Sequence, residues 1–255
     1  MNTVNLFSYC ISNKGCSGDI DTAFKFCDSG QNGFYMACAN PHSLVTAASD
    51  SLFKKALTSA DILLPDGTGI TLAAKVLNLP LTEKVAGSDF FRECNKMAQI
   101  RGGTRYFFLG SSKKVLDLIE ERLKREYPDI MVCGTYSPPF KNEFTSEDND
   151  EMVRIVNEAM PDILWVGMTA PKQEKWIYQN KDRLNVPFIG AIGAVFDFYA
   201  GTKQRSSDFW ISMGLEWLPR FLKEPRRLWE RNLKSTPVFL WWTVKEWLKT
   251  HRKKE

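Results

Sequence analysis

The sequence is poor in the side chains that usually bind metal ions. It contains two histidines, His42 and His251, and six scattered cysteines without a Cys-x-x-Cys pair. Zinc and iron–sulfur sites need clusters of these residues, so neither is expected, and the cysteines are predicted to be free thiols in a reducing compartment. The usual glycine patterns for NAD and ATP, G-x-G-x-x-G after the first predicted strand and G-x-x-x-x-G-K-[ST], are also missing.

Long hydrophobic runs are absent too. The longest, such as residues 238–242, are far shorter than the roughly 20 residues that a membrane-spanning helix needs. The first seven residues show no basic region followed by a long apolar stretch, so no secretory signal is expected. With 44% apolar residues among 255, the chain can bury a large core, and we expect a globular protein of the cytoplasm.

The charge is small overall but unevenly distributed. A net charge of +4 gives no reason to expect a nucleic-acid partner. Residues 203–255, however, hold 13 Lys and Arg against 6 Asp and Glu, together with six of the eight tryptophans. The sequence therefore predicts an acidic body, residues 1–202, followed by a basic, Trp-rich appendage, residues 203–255.

Short apolar runs alternate with segments of helical period along the body. Strands are predicted at residues 34–39, 61–64, 105–109, 130–135, 162–166 and 187–192. Helices are predicted at residues 42–59, 68–78, 88–101, 112–126, 146–160 and 171–183. This alternation predicts a Rossmann-like α/β fold, a mainly parallel sheet with helices on both faces.

Ligands of such sheets bind at the carboxyl ends of the strands. The loops expected there are rich in small residues, and most lead directly into a helix. Free N–H groups and the positive end of the dipole make helix N-termini suitable for phosphate. A phosphorylated ligand is therefore expected at this edge.

Two acidic motifs each allow two interpretations. Asp66 in Pro65-Asp66-Gly67 is either a turn or capping residue, or a carboxylate able to take a proton from a hydroxyl nucleophile; on the local sequence alone we favour the turn or capping role. The Asp148-Asn149-Asp150 motif resembles the D-x-D that holds a divalent metal, but acidic residues in the first turn of a helix are explained by the helix dipole alone. We favour the helix interpretation for Asp148 and Asp150.

For three further residues the local sequence gives less indication of a functional role. Lys172 and Gln173 follow Pro171 at the start of a predicted helix, where they either form an ordinary helix entry or face a ligand. His42 has no visible partner for acid–base catalysis, so a capping or solvent-facing role is expected.

The appendage interleaves arginine with aromatic residues and continues into a helical pattern over residues 237–250. One interpretation is a pair of helices packed on the core. The other is a segment that binds to the membrane surface, with tryptophan at headgroup depth and Lys or Arg near anionic lipid. The arginines could equally grip a pyrophosphate through bidentate contacts.

Seven stretches in order resemble the WecG/TagA/CpsF family of glycosyltransferases, from about residue 34 to 233. They are ANPHSLV (39–45), ADILLPDGTG (60–69), EKVAGSD (83–89), FFLG (107–110), APKQEKW (170–176), GAVFDF (193–198), and LEW (215–217) with EPRR (224–227). The resemblance implies an inverting, metal-independent enzyme without a cofactor. It would transfer an N-acetylmannosamine-type sugar or glucose from a UDP-sugar to a saccharide linked through diphosphate to a polyprenol, in teichoic acid or exopolysaccharide biosynthesis.

The resemblance also implies roles for particular residues. Asp66 corresponds to the proposed catalytic base, which reverses the local preference for a turn residue, and Gln173 to an active-site residue. Donor binding is implied for Asn40, Gly110, Asp197 and Lys84. The appendage corresponds to one that docks on an anionic membrane from the cytoplasmic side and contributes arginines, for which the candidates are Arg220, Arg226, Arg227 and Arg231. A homo-oligomer stays open.

The chain departs from the family pattern at Cys38, where a threonine is common, and at Lys84, where many members have arginine. We interpret these changes as bearing on the donor sugar. A nucleotide-binding module recruited to the membrane without catalysis is the alternative of another class. An NAD-dependent dehydrogenase is a third, weaker alternative because the glycine pattern is missing.

Overall fold

The computed structural model describes residues 2–203 and 234–252. In this part of the chain the strands are β1 (Thr3–Leu6), β2 (Tyr9–Ser12), β3 (Phe34–Ala39), β4 (Ile62–Pro65), β5 (Arg105–Gly110), β6 (Met131–Tyr136), β7 (Ile163–Gly167) and β8 (Phe188–Ala191). The helices are α1 (Gly15–Asp28), α2 (Pro41–Ser49), α3 (Ser51–Thr58), α4 (Thr68–Val76), α5 (Gly87–Arg101), α6 (Lys113–Glu126), α7 (Ser146–Ala159), α8 (Lys172–Asn180), α9 (Val195–Tyr199) and the C-terminal helix (Ser235–Arg252).

Six parallel strands form the central sheet in the order β4-β3-β8-β7-β5-β6. Successive side chains of a strand point to opposite faces, and both faces of this sheet are covered. In β5, Tyr106 and Phe108 pack among residues of α1, α5, α6 and α9, whereas Phe107 and Leu109 pack among residues of α7 and α8. The predicted Rossmann-like fold with helices on both faces is confirmed.

All six predicted strands of the sheet are present, each within two residues of its expected ends. The single helix expected over residues 42–59 is wrong, because the chain leaves the helical conformation at Asp50. Asp50 has extended backbone angles, and its carboxylate accepts a hydrogen bond of 2.9 Å from Phe53 N, so it caps a second helix. The helix expected over 171–183 ends at Asn180, and a 3₁₀ turn follows at Lys181–Arg183.

The N-terminal hairpin β1–β2, helix α1 and the short α9 were not predicted. The hairpin pairs Leu6 with Tyr9, and its two turn residues, Phe7 and Ser8, both have positive φ. The two central residues of such a turn are usually Asn-Gly or a similar dipeptide. Phe7 and Ser8 give no such signal, and the four-residue strands are too short to show periodicity.

The C-terminal helix lies on the body, against α2 and α4. Phe239 is only 2% exposed and packs edge-on against Phe7 of the hairpin turn, with ring centroids 5.5 Å apart. Trp242 contacts the same ring at 5.9 Å. None of the helices in the described residues has the length and apolar character needed to cross a bilayer. The division of the chain at residue 202 stays a prediction.

Candidate active site

The sheet order places several of the predicted site residues along one edge. Asp66 follows β4, Asn40 follows β3, the loop at Gly193 follows β8, and Gly110 ends β5. Because parallel strands end at the same edge, the topology brings these positions together although they lie far apart in sequence.

Asp66 and Asn40 lie on neighbouring strands. The Asp66 backbone N–H donates to Ala39 O at 2.8 Å, which ties the loop after β4 to the end of β3. The Asn40 side-chain oxygen accepts a 2.9 Å hydrogen bond from Ser43 N and caps α2. Asn40 therefore has a structural role in addition to any ligand contact, and the half-buried residue Asp66 follows the strand next to the one that leads into α2.

The N-termini of α2 and α4 meet at this edge. A side-chain carbon built on Gly69, in the first turn of α4, would come within 2.5 Å of Pro41 Cγ at the start of α2. Only glycine allows this approach, which sets two positive dipole ends next to Asp66. The arrangement is suited to an anionic ligand held close to a general base.

Lys84 lies on the segment that follows α4. Val85 N donates to Pro65 O at 3.0 Å, so this segment runs beside the residue that precedes Asp66. The other side of the segment is held by Glu83, whose carboxylate accepts a 2.6 Å hydrogen bond from Cys16 N at the start of α1. The half-buried Lys84 is thereby placed near the Asp66 loop.

Gly110 contributes to this edge of the sheet through its backbone conformation. Its φ is +122°, and a side-chain carbon there would come within 2.5 Å of Gly167 O on the neighbouring strand β7. The residue lets β5 and β7 end in close contact. A donor-binding role for Gly110 stays a prediction.

Gln173 is buried at the start of α8, where it spans the loop after β7. Its Oε1 accepts a hydrogen bond from Met168 N at 3.2 Å, and its Nε2 donates to Glu174 Oε1 at 2.9 Å. A side-chain carbon on Gly193 would lie 3.2 Å from the same Oε1. The Gln173 amide therefore faces the loop that follows β8.

Asp197 on α9 is engaged by the chain that follows it. Its carboxylate pairs with Lys203 Nζ at 2.7 Å and accepts from Thr202 Oγ1 at 3.2 Å. A contact between Asp197 and a nucleotide base stays a prediction, and any such contact would compete with Lys203.

A family comparison accounts for this combination of motifs. The model of the family described as "Glycosyl transferase WecG/TagA/CpsF family" matches residues 4–253, nearly the whole chain. The chain belongs to this glycosyltransferase family.

Two of the curated relatives carry the same name. A Bacillus spizizenii protein is 31% identical over 208 residues, which are 82% of this chain and 77% of the relative. A Staphylococcus aureus protein is 26% identical over 216 residues, or 85% of this chain and 82% of the relative. Both are named N-acetylglucosaminyldiphosphoundecaprenol N-acetyl-beta-D-mannosaminyltransferase.

Other candidates in this glycosyltransferase have structural explanations. Asp148 accepts from Thr145 N at 2.9 Å in a capping box and pairs with Lys141, while Asp150 pairs with Arg183. Asp148 and Asp150 thus both lie on α7, with Asp148 in its first turn. Within residues 2–203 and 234–252, no group of three His, Cys, Asp or Glu side chains is arranged to hold a metal.

His42, for which a capping or solvent-facing role is expected, contacts the C-terminal helix. It is half-buried at the start of α2, and its Nδ1 lies 2.8 Å from Ser235 Oγ at the start of the C-terminal helix. The partner is 193 residues away in sequence, so no local pattern could reveal it. The arginines expected from the appendage, Arg220, Arg226, Arg227 and Arg231, lie outside the described residues.

Sequence reasoning missed Glu174 as a residue of interest in this family member. It belongs to the APKQEKW stretch, where it received no role, yet the residue is only 2% exposed and its carboxyl contacts the Gln173 amide. Burial raises the pKa of Glu174 to about 7. The signal available in the sequence was its place beside Gln173, but helix entries commonly carry Glu, so burial could not be read from it.

Proposed function

We propose that this protein is an inverting, metal-independent hexosyltransferase that uses a UDP-sugar. The acceptor is a saccharide linked through diphosphate to a polyprenol, and the donor sugar is N-acetylmannosamine or a related hexose such as glucose. The names of the relatives support the acceptor class and the N-acetylmannosaminyl group. The product would enter a cell-surface polysaccharide or teichoic acid.

The observation that carries the proposal is Asp66 at the carboxyl edge of the sheet, beside two helix N-termini, in a chain of this family. In the proposed reaction, the acceptor hydroxyl oxygen attacks the anomeric carbon of the donor. The bond from that carbon to the UDP oxygen breaks and its electron pair leaves with UDP, while the hydroxyl proton passes to Asp66. Attack opposite the leaving group inverts the anomeric centre.

Charge on the departing UDP needs stabilisation when no metal takes part. Helix N-termini at the sheet edge, Lys84 and the appendage arginines Arg220, Arg226, Arg227 and Arg231 are the proposed sources of that positive charge. Asn40, Gly110 and Asp197 are proposed to contact the donor, and Gln173 to act at the reacting centre.

We also propose that the C-terminal helix rests on an anionic membrane from the cytoplasmic side. Val244, Leu248 and Trp241 lie 140–200° around the helix from the buried Phe239, and each is exposed. Lys245 and Lys249 flank this apolar surface. Exposed apolar side chains with adjacent lysines are typical of helices that lie in the membrane interface.

The deciding experiment compares Asp66→Asn with the wild type. We expect transfer from a radiolabelled UDP-sugar to a short-chain polyprenyl-diphosphate N-acetylglucosamine acceptor to fall by about 100-fold or more, because general-base catalysis contributes at least that much. UDP binding measured by calorimetry should change little. Asp182→Asn, on the exposed 3₁₀ turn after α8, is the control and should leave transfer unchanged.

Three outcomes would contradict parts of this proposal. Wild-type turnover in Asp66→Asn would exclude Asp66 as the base. Loss of activity in EDTA that Mn²⁺ restores would exclude a metal-independent reaction. UDP binding without transfer from any of UDP-N-acetylmannosamine, UDP-N-acetylmannosaminuronic acid, UDP-glucose and UDP-N-acetylglucosamine would favour the non-catalytic binding module.

A further inference from the structure

The carboxyl group of Glu174 is buried at considerable cost. Its Oε2 has no hydrogen-bond partner in the part of the chain that the structure describes, although Glu174 is only 2% exposed. A buried polar atom without a partner destabilises the folded state, because the hydrogen bond that it made with water is not replaced. Unpartnered groups of this kind are few in native proteins, and each calls for an explanation.

The other carboxyl oxygen of Glu174 is hydrogen-bonded. Oε1 accepts the 2.9 Å hydrogen bond from Gln173 Nε2, while Gln173 Oε1 accepts from Met168 N at 3.2 Å. A rotated Gln173 amide would turn its NH₂ group toward the Met168 N–H, donor against donor, and its oxygen toward the Glu174 carboxyl oxygen. Two contacts thus select one orientation of the amide.

The selected orientation determines what Gln173 offers to a ligand. Its oxygen is taken by Met168 and one N–H by Glu174, so the second N–H is left as a donor. The amide faces Gly193, where a side-chain carbon would lie 3.4 Å from Nε2. Gly193 belongs to the loop after β8, next to the strand that carries Asn40.

A purely structural role does not explain Glu174. A glutamate in the first turn of a helix is favourable through the dipole when it is exposed, as Glu147 is in α7. Burial adds a desolvation cost that opposes this advantage. An apolar side chain of similar length would fill the space without an unpartnered oxygen, but it would not hold the Gln173 N–H.

We propose that Glu174 is a positioning residue for the transfer reaction, which holds the Gln173 amide with its free N–H toward the reacting groups. This inference rests on the proposed function for the reaction itself, but the orientation of the amide can be measured without activity.

The first test compares Glu174→Met with Glu174→Gln. The methionine variant removes the buried unpartnered oxygen but also leaves the Gln173 N–H without its acceptor, so its melting temperature should stay close to that of the wild type. Its kcat should nevertheless fall about tenfold, the value of one hydrogen bond, with the donor KM within about twofold. The glutamine variant keeps an acceptor for Gln173 Nε2 and should retain most of the kcat. Glu147→Met is the matched control and should leave kcat unchanged.

The second test asks whether Glu174 acts through Gln173. The double variant Gln173→Ala/Glu174→Met should be no slower than Gln173→Ala alone. The Gln173 side-chain amide signals in ¹H–¹⁵N NMR spectra, assigned by their loss in Gln173→Ala, should exchange with solvent faster in Glu174→Met.

The results separate the two proposals. Additive losses in the double variant or unchanged Gln173 amide exchange would each overturn the positioning role. If the wild type transfers no sugar, the proposed function fails and the catalytic part of this inference fails with it, while the NMR comparison still decides the orientation of the amide. If wild-type transfer stands but Glu174→Met retains the full kcat, the positioning role alone fails.

Discussion

The C-terminal helix offers a prediction in which two neighbouring side chains separate stability from membrane binding. Phe239 faces the body and is 2% exposed, whereas Trp241, two residues further along, faces solvent and is 62% exposed. Alanine substitution at each position therefore removes apolar surface from opposite sides of one helix.

The expected changes in stability and in vesicle binding follow from the buried position of Phe239 and the exposed position of Trp241. Phe239→Ala leaves a cavity beside Phe7 and should lower the free energy of unfolding by about 3 kcal/mol, at the lower end of the range for buried Phe→Ala because the helix can partly detach. Trp241→Ala touches no core contact and should stay within about 0.5 kcal/mol. On anionic vesicles, its loss should weaken binding roughly tenfold, equivalent to about 1.4 kcal/mol of apolar transfer.

The assays are urea unfolding followed by circular dichroism and sedimentation with phosphatidylglycerol vesicles, both on the full-length chain. Hydrogen exchange of the amides in Ser235–Arg252 shows whether the helix detaches before the body unfolds. Equal stability losses for the two variants would refute the docking of Phe239 as the main anchor. Unchanged vesicle binding in Trp241→Ala would refute the exposed face as the membrane contact.

Two further predictions concern the body. Burial raises the pKa of Glu174 from an ordinary 4.5 to about 7. Between these pH values the folded protein keeps a proton that the unfolded chain releases. The free energy of unfolding of the wild type should therefore fall by about 3 kcal/mol from pH 4.5 to 7, relative to that of Glu174→Gln. Parallel pH dependence of the two proteins in urea titrations would contradict the buried carboxyl. Gly110→Ala should lower the free energy of unfolding by at least about 2 kcal/mol, because the methyl group meets Gly167 O. Gly30 also has a positive φ but has open space around it, so Gly30→Ala should lower the free energy of unfolding by only about 1 kcal/mol. Equal losses for the two variants in thermal unfolding would exclude the close approach of Gly110 to Gly167.

The sheet illustrates how far local patterns reach. β5 and β7 are continuous apolar runs because both faces of a parallel sheet are buried, so their sequences alone predicted their positions. The break at Asp50 was missed because residues on both sides of it favour a helix, and only the capping contact with Phe53 N divides them. The hairpin was missed because its turn residues, Phe7 and Ser8, are not typical of one.

The sequence by itself determined the fold class and the family, and it predicted the edge of the sheet for the candidate site, because these depend on periodicity and on motifs read along the chain. Asp66, Asn40 and Gln173 could be named in this way. The tertiary structure alone decided which side chains are buried and which hydrogen bonds and ion pairs they form, whether their partners are near or far along the chain. It placed Glu174 against the Gln173 amide, Lys203 on Asp197 and His42 beside Ser235. Burial and such contacts arise when segments pack together in three dimensions, and the spacing of residues along the chain does not encode them.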